Sequence, residues 1–117
     1  MPHKVLVVED EYLLALDLEQ ELHKAGFLVA GPALSVAEAL SLAQFGCDAA
    51  VLDVNLAGET AEPIAEALLA RRTPFLTVTG YAAGQRPAVF ESVPCLGKPV
   101  RSEALIGELR KMLAAGA

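Results

Sequence analysis

The sequence has no tryptophan, 2 cysteines and few basic side chains, with 9 Lys+Arg against 15 Asp+Glu and a formal net charge of -6. Nucleic-acid-binding domains need a basic face to neutralise phosphates, so a nucleic-acid partner is excluded. No apolar run approaches the ~18 residues of a membrane span, and neither a span nor a secretory leader is predicted. What remains is a 117-residue chain with 54% apolar residues, which favours one domain over 1–117 with its own core.

The two cysteines lack the spacing of a metal or redox motif. Cys47 and Cys95 lie in apolar surroundings, without a Cys-x-x-Cys pair or a His-rich tract beside them. We interpret them as reduced thiols that fill the core, and this interpretation favours a cytoplasmic location.

Short apolar runs rich in Val and Leu alternate along the chain with amphipathic stretches, and Gly or Pro mark the joins. The pattern predicts strands over 5–8, 27–30, 49–52, 74–79 and 93–96. It predicts a first helix after the acidic run up to Gly26, a second over 35 to about 44, a third toward Arg71-Arg72, and a last one with Leu105, Leu109 and Leu113 on one face. Ser35 and Glu38 form a capping box, and the third helix carries Ile64, Leu68 and Leu69. Continuous apolar strands predict an α/β fold with a doubly wound, five-stranded parallel sheet.

The segment from Gly80 to Ser92 departs from this alternation. Gly84, Pro87 and a low apolar content make it a poor helix, so we predict mostly loop that buries little apolar surface. The fourth helix of a regular alternation is therefore expected to be weak or missing.

Polar residues follow the predicted strands where each one ends: Glu9 and Asp10, Asp53, Thr79, and Lys98. Ligands of open parallel sheets bind outside the carboxyl ends of the strands, so these side chains should converge on one edge. Three carboxylates repel one another unless a cation lies among them, and a ligand set of oxygens alone selects a hard ion such as Mg²⁺.

The remaining groups at this edge suit a phosphoryl group. Mg²⁺ and the Lys98 ammonium could share its charge with the Thr79 hydroxyl nearby. An ionised Asp53 could attack phosphorus directly to give an acyl phosphate, without a separate base.

The sequence resembles the receiver domain of bacterial two-component response regulators over nearly its whole length. Four motifs match in order: Glu9-Asp10 after strand one, Asp53 after strand three, Thr79-Gly80 after strand four, and Lys98-Pro99 after strand five. Together they are specific, although each alone is weak. The resemblance implies a flavodoxin-like (βα)5 fold and a signalling phosphoacceptor, which is not an enzyme beyond its own phosphorylation and dephosphorylation.

The resemblance also implies roles for individual residues. Asp53 would accept a phosphoryl group from a histidine kinase or a histidine phosphotransfer protein. Glu9, Asp10, Asp53 and the backbone carbonyl of Asn55 would organise Mg²⁺, Thr79 would contact the phosphoryl group, and Lys98 would neutralise it. The Lys98–Pro99 bond would be cis. Output would pass by protein contact, or the domain would act as a phosphate sink; the oligomeric state stays open, with a homodimer as one option.

Two sequence features indicate which subgroup of receivers this chain resembles. Receivers usually carry an aromatic residue three positions before the lysine, and Cys95 stands there, so the Thr79/aromatic switch is not expected. The stretches around Asp53–Glu59 and Pro74–Tyr81 partly resemble single-domain receivers with a Phe-Ala-Thr-Gly-aromatic motif, although Leu76-Thr77-Val78 differs. In that subgroup a mobile loop often replaces the fourth helix, which suggests 80–92 as the switch.

Other interpretations remain open. The acidic run could simply favour a helix N-terminus, and Thr79 or Lys98 alone could be structural. A Mg²⁺-dependent phosphatase with an aspartyl nucleophile usually has a second aspartate where this chain has Asn55. A receiver that binds partners without phosphorylation is the third class, and the intact set of Asp53, Thr79 and Lys98 argues against it.

Overall fold

The computed structural model describes residues 2–56, 58–80 and 88–115. The strands are β1 (Lys4–Val8), β2 (Leu28–Ala33), β3 (Ala49–Asp53), β4 (Asn55–Leu56), β5 (Glu59–Thr60), β6 (Phe75–Thr79) and β7 (Cys95–Gly97). The helices are α1 (Tyr12–Lys24), α2 (Val36–Ala43), α3 (Glu62–Ala70) and α4 (Ser102–Ala115).

Five of the strands form one parallel sheet in the order β2-β1-β3-β6-β7. The order reverses between β1 and β3, because the chain builds outward from β1 in both directions. A crevice forms at such a switch point outside the carboxyl ends of the strands. The predicted α/β architecture, with its doubly wound parallel sheet, is confirmed.

Alternate residues of the central strands separate the core into two layers. One layer joins strand residues such as Leu6, Leu52 and Phe75 to α2 and α3, where Ile64 and Leu68 are fully buried. The other layer packs the opposite face of the sheet against α1 and α4, through Leu18, Leu22, Leu105 and Leu109. Helices on both faces explain why β1, β3 and β6 are apolar along almost their whole length.

Local signals account for the helix boundaries. Ser35 caps α2, since its hydroxyl accepts a hydrogen bond from the Glu38 N–H at 3.2 Å, and the Glu38 carboxylate accepts one from the Leu34 N–H at 2.6 Å. Pro63 lies in the first turn of α3, where no backbone donor is needed. The Ser35 half of the predicted capping box is therefore confirmed, whereas Glu38 bonds the Leu34 N–H and not the Ser35 N–H. Of the apolar residues that the sequence predicts on α3, Ile64 and Leu68 are fully buried, whereas Leu69 is 52% exposed.

Two strands lie at other positions than predicted. β2 does not end at Ala30 but continues through Gly31-Pro32 to Ala33, which an edge strand permits because one side of its backbone has no partner. β7 begins at Cys95 rather than at Val93. The chain between β3 and α3 contains the short antiparallel pair β4–β5.

The segment between β6 and β7 was only partly predicted. Ala88–Phe90 form a single 3-10 turn, and Phe90 is fully buried with its ring edge-on to Phe75 at a centroid distance of 6.5 Å. The expectation that 80–92 buries little apolar surface was therefore wrong at Phe90. Residues 81–87, on which the rest of the loop prediction falls, lie outside the described residues.

Three further expectations concern single features. The Lys98–Pro99 bond is cis, as predicted. Cys47 and Cys95 are free thiols and only half-buried, and burial raises the pKa of Cys47. Within the described part of the chain, no helix is long and apolar enough to cross a membrane.

Candidate functional site

The candidate site lies at the carboxyl edge of the parallel sheet. Glu9 and Asp10 follow β1, Asp53 is the last residue of β3, and Lys98 follows β7. Sheet pairing holds these strands side by side, and the Lys98 N–H donates a hydrogen bond to the Thr79 carbonyl at 3.0 Å. The predicted convergence of the carboxylates and the lysine is thus observed.

Three carboxylates form a cluster with the spacing of a metal site. Glu9, Asp10 and Asp53 each offer an oxygen, and these oxygens all lie within 4.8 Å of one another. Glu9 is fully buried, and its Oε2 atom accepts no hydrogen bond from the described residues. The Lys98 Nζ atom lies 3.3 Å from this oxygen but makes its hydrogen bond to Glu9 Oε1, so Oε2 has an ion-pair contact without a hydrogen bond, which is costly for a buried oxygen. The donor set, hard oxygens around an unsatisfied buried acceptor, fits Mg²⁺.

Lys98 bridges the acidic residues. Its Nζ atom lies 3.0 Å from Asp53 Oδ2, 3.1 Å from Glu11 Oε1 and 3.3 Å from Glu9 Oε2. The Lys98 side chain is only 20% exposed, so these ion pairs are partly shielded from solvent. The ammonium group therefore compensates part of the repulsion among the carboxylates.

The pKa values reflect this arrangement. Burial raises the pKa of Glu9 to about 7; a hydrogen bond from the Glu11 N–H opposes that shift, and the neighbouring Asp53 adds to it. Burial also disfavours the charge of Lys98, but hydrogen bonds to Asp53 and Glu11 outweigh burial and raise its pKa. Lys98 thus remains a cation, while Glu9 exchanges its proton near neutral pH.

An open cavity of about 350 Å³ exposes the cluster to solvent. Its lining consists of Asp10, Glu11, Asp53, Asn55, Gly58, Gly80 and Lys98. Two glycines at the rim leave room for a ligand, because no side chain projects from them. Thr79 does not line this cavity: it is 4% exposed at the end of β6, beside Gly80.

The Asp53 carboxylate is held from two sides. Its Oδ1 atom accepts a hydrogen bond from the Asn55 N–H at 3.2 Å, and its Oδ2 atom accepts one from Lys98. Asp53 is only 5% exposed, and yet it lines the cavity. This is the environment of a fixed carboxylate that a small ligand can reach.

Sequence reasoning did not assign Glu11 to the site. Its position directly after Glu9 and Asp10 could have indicated a role in the site, because the Lys98 ammonium has three donors and can donate to a third carboxylate. The glycines of the lining, Gly58 and Gly80, were also missed as site residues.

No family model and no curated protein matches the chain. Solved structures do match. SdrG from Sphingomonas melonis Fr1 is 38% identical, with 96% of this chain and 97% of that one covered and a TM-score of 0.83. A protein described as a response regulator from Chloroflexus aurantiacus J-10-fl is 30% identical, with 97% and 99% covered and a TM-score of 0.85. A response regulator receiver protein from Sinorhizobium medicae WSM419 is 27% identical, with 97% and 96% covered and a TM-score of 0.84.

The doubly wound parallel sheet, with an acidic cluster at its carboxyl edge, defines a flavodoxin-like α/β domain. The chain belongs to the response regulator receiver family of two-component systems, as similarity over nearly the full length of SdrG and of the Chloroflexus protein shows.

Proposed function

We propose that Asp53 is the phosphoacceptor of this receiver. The observation that carries the proposal is a nearly buried carboxylate that lines an open cavity and has the Lys98 ammonium 3.0 Å away. An Asp53 oxygen attacks the phosphorus of a phosphohistidine, the P–N bond breaks, and its electron pair returns to the imidazole nitrogen. The product is an acyl phosphate, whose phosphoryl charge the Lys98 ammonium offsets.

Glu9, Asp10 and Asp53, with the backbone carbonyl of Asn55, are the residues that would hold Mg²⁺. The support for this part is the cluster of carboxylate oxygens within 4.8 Å and the unsatisfied Glu9 Oε2. A bound Mg²⁺ would supply positive charge to the phosphoryl oxygens. Thr79, buried at the end of the neighbouring strand, is the proposed contact that reports phosphorylation.

The donor would be a histidine kinase or a histidine phosphotransfer protein. The chain would pass its signal by protein contact or serve as a phosphate sink, and its only catalysis would be its own phosphorylation and dephosphorylation. A cytoplasmic location is the one that suits a donor of this kind.

Signalling requires an element other than the usual aromatic switch, because Cys95 on β7 occupies the position at which receivers usually carry the aromatic residue. We propose the segment 80–92, which starts directly after Thr79. Phe90, in the 3-10 turn near the end of this segment, is fully buried in the core. Hydrogen exchange across 80–92 should slow with Mg²⁺ and beryllofluoride. Unchanged exchange there, together with changes elsewhere, would place the switch on another surface.

Transfer of labelled phosphate from a phosphohistidine donor tests the phosphoacceptor. Asp53→Asn should abolish acid-stable, base-labile labelling, because the amide cannot form an acyl phosphate. The matched control is Asp17→Asn, since Asp17 is an exposed residue of α1 away from the cavity. Labelling that survives Asp53→Asn would refute the assignment, and a wild-type protein that takes no label would favour a receiver that works without phosphorylation.

A further inference from the structure

Glu11 occupies a position at which glutamate is unusual. It is the N-cap residue of α1, with φ -81° and ψ 108°, and its side chain makes no capping hydrogen bond. Ser, Thr, Asp and Asn are preferred at N-caps because their short side chains reach the free N–H groups of the first turn. A residue that departs from the N-cap preference suggests that its side chain has a role other than capping the helix.

The Glu11 carboxylate instead reaches across the cavity to the lysine after β7. Its Oε1 atom lies 3.1 Å from Lys98 Nζ, about as close as Asp53 Oδ2 at 3.0 Å. An ammonium group has three donors, and Glu9 Oε1 accepts the third of them at 3.5 Å, so the three carboxylates occupy all the donors. Any further acceptor must displace one of the three.

The three partners differ in how easily they can be displaced. The side chain of Glu9 is fully buried and that of Asp53 is 6% exposed, whereas the side chain of Glu11 is 66% exposed. A buried carboxylate that loses its cation cannot recover by hydration, but an exposed one can. Exposed ion pairs are also weak, so release of Glu11 costs little.

We infer that Glu11 is a positioning residue that holds the Lys98 ammonium in the resting protein and competes with the phosphoryl group for it. The inference rests on the proposed function, in which an anion at Asp53 recruits Lys98. When the phosphoryl oxygens arrive, Glu11 releases Lys98 and turns to water. Removing this competitor should therefore strengthen the binding of a phosphoryl mimic.

Beryllofluoride affinity in the presence of Mg²⁺ measures this competition. Glu11→Gln should tighten beryllofluoride binding by about two- to five-fold, a small factor because the competing pair is exposed. Glu11→Asp keeps the charge but draws the carboxylate back by one methylene, so it should tighten binding as well. The matched control is Glu59→Gln, which removes an exposed carboxylate from β5 at the same edge of the sheet and should leave the affinity within two-fold of wild type.

The outcomes separate competition from simple repulsion. If Glu11→Gln tightens binding while Glu11→Asp behaves like wild type, charge repulsion alone explains the effect and the inference is wrong. An equal effect of Glu59→Gln, or no effect of Glu11→Gln, also overturns it. A wild-type protein that binds no beryllofluoride would instead refute the proposed function. The contact itself is tested without any anion: by NMR, the Lys98 ammonium protons should exchange with water faster in Glu11→Gln than in the wild type, and equal exchange in both would overturn the inference.

Discussion

At the residue scale, Gly31 is constrained by its surroundings more than the other described glycines. It has φ +92°, and a Cβ atom there would lie 2.6 Å from the Ala33 nitrogen and 3.0 Å from the Val7 carbonyl oxygen. Both neighbours are backbone atoms of paired strands, so neither can move without disturbing the β1–β2 pairing. The position therefore requires glycine for two independent reasons.

We expect Gly31→Ala to destabilise the fold by about 2–4 kcal/mol, because the methyl group meets backbone and the left-handed conformation is unfavourable for alanine. Gly107→Ala is the control: Gly107 lies inside α4, and nothing is within 4 Å of its Cβ position. That change should stabilise the protein by up to about 1 kcal/mol. Urea unfolding of both variants gives the comparison, and equal stabilities would contradict the assigned steric role.

Phe90 offers a second test at this scale. Phe90→Ala should cost about 3–5 kcal/mol, since it leaves a cavity beside Phe75 in the layer under α3. Phe45 is 79% exposed, so Phe45→Ala should change stability by less than about 0.5 kcal/mol. Thermal unfolding measures both, and a cost below about 1 kcal/mol for Phe90→Ala would mean that the turn is not anchored in the core.

At the scale of single elements, the sequence predicted the features that depend on periodicity and missed those that depend on tertiary packing. The alternation of apolar runs located all five strands of the sheet and the four helices. It did not show that β2 continues through Gly31-Pro32, because only the edge position of that strand makes a proline acceptable. Nor could it show that Phe90 enters the core, since Ala88, Val89 and Phe90 are too short an apolar run to show helix or strand periodicity.

The same distinction holds for the site. Glu9, Asp10, Asp53 and Lys98 were predictable, because each follows an apolar strand and parallel strands end at one edge. The Glu11–Lys98 ion pair was not, since it depends on how far two flexible side chains extend across the cavity. Thr79 lies at the predicted edge, but the sequence could not show that it is buried outside the cavity lining.

One hydrogen bond connects α1 to the start of α4. The Ser102 hydroxyl donates to Glu21 Oε2 at 2.7 Å, and this bond lowers the pKa of Glu21 below its usual 4.5. A lowered folded-state pKa means that the stabilising contribution is present above pH 4.5 and is lost as the pH falls through the folded-state value.

Ser102→Ala should therefore reduce stability at pH 7, and the difference from wild type should shrink as Glu21 becomes protonated in acid. Urea unfolding at pH 7 and at pH 3 measures the two differences. Ser41→Ala, on the exposed side of α2, is the control and should show no such pH dependence. An equal loss for Ser102→Ala at both pH values would show that the carboxylate does not stabilise the contact.

At the scale of the whole molecule, the carboxylates that form the candidate site also destabilise the folded protein by repelling one another. Glu9, Asp10 and Asp53 are held together there, and the Lys98 ammonium is the cation that the structure places among them. Burial raises the pKa of Glu9 to about 7, so the folded state binds its proton more tightly than the unfolded chain does. The contribution of Glu9 to stability should therefore fall as the pH rises from about 4.5 to about 7, by about 3 kcal/mol.

Mg²⁺ should reverse this loss. An ion that binds the folded state alone, at a hundred times its dissociation constant, stabilises the protein by about 3 kcal/mol, or roughly 10 °C for a domain of this size. The increase in the unfolding midpoint should be larger at pH 8 than at pH 5.5, because Mg²⁺ must displace the proton of Glu9 at the lower pH.

Asp10→Asn should raise the unfolding midpoint in EDTA, since it relieves repulsion among the carboxylates, and should abolish most of the increase in the midpoint that Mg²⁺ causes. Calorimetric scans with Mg²⁺ and with EDTA decide the matter: an equal Mg²⁺ increment in wild type and Asp10→Asn would place the ion elsewhere on the molecule.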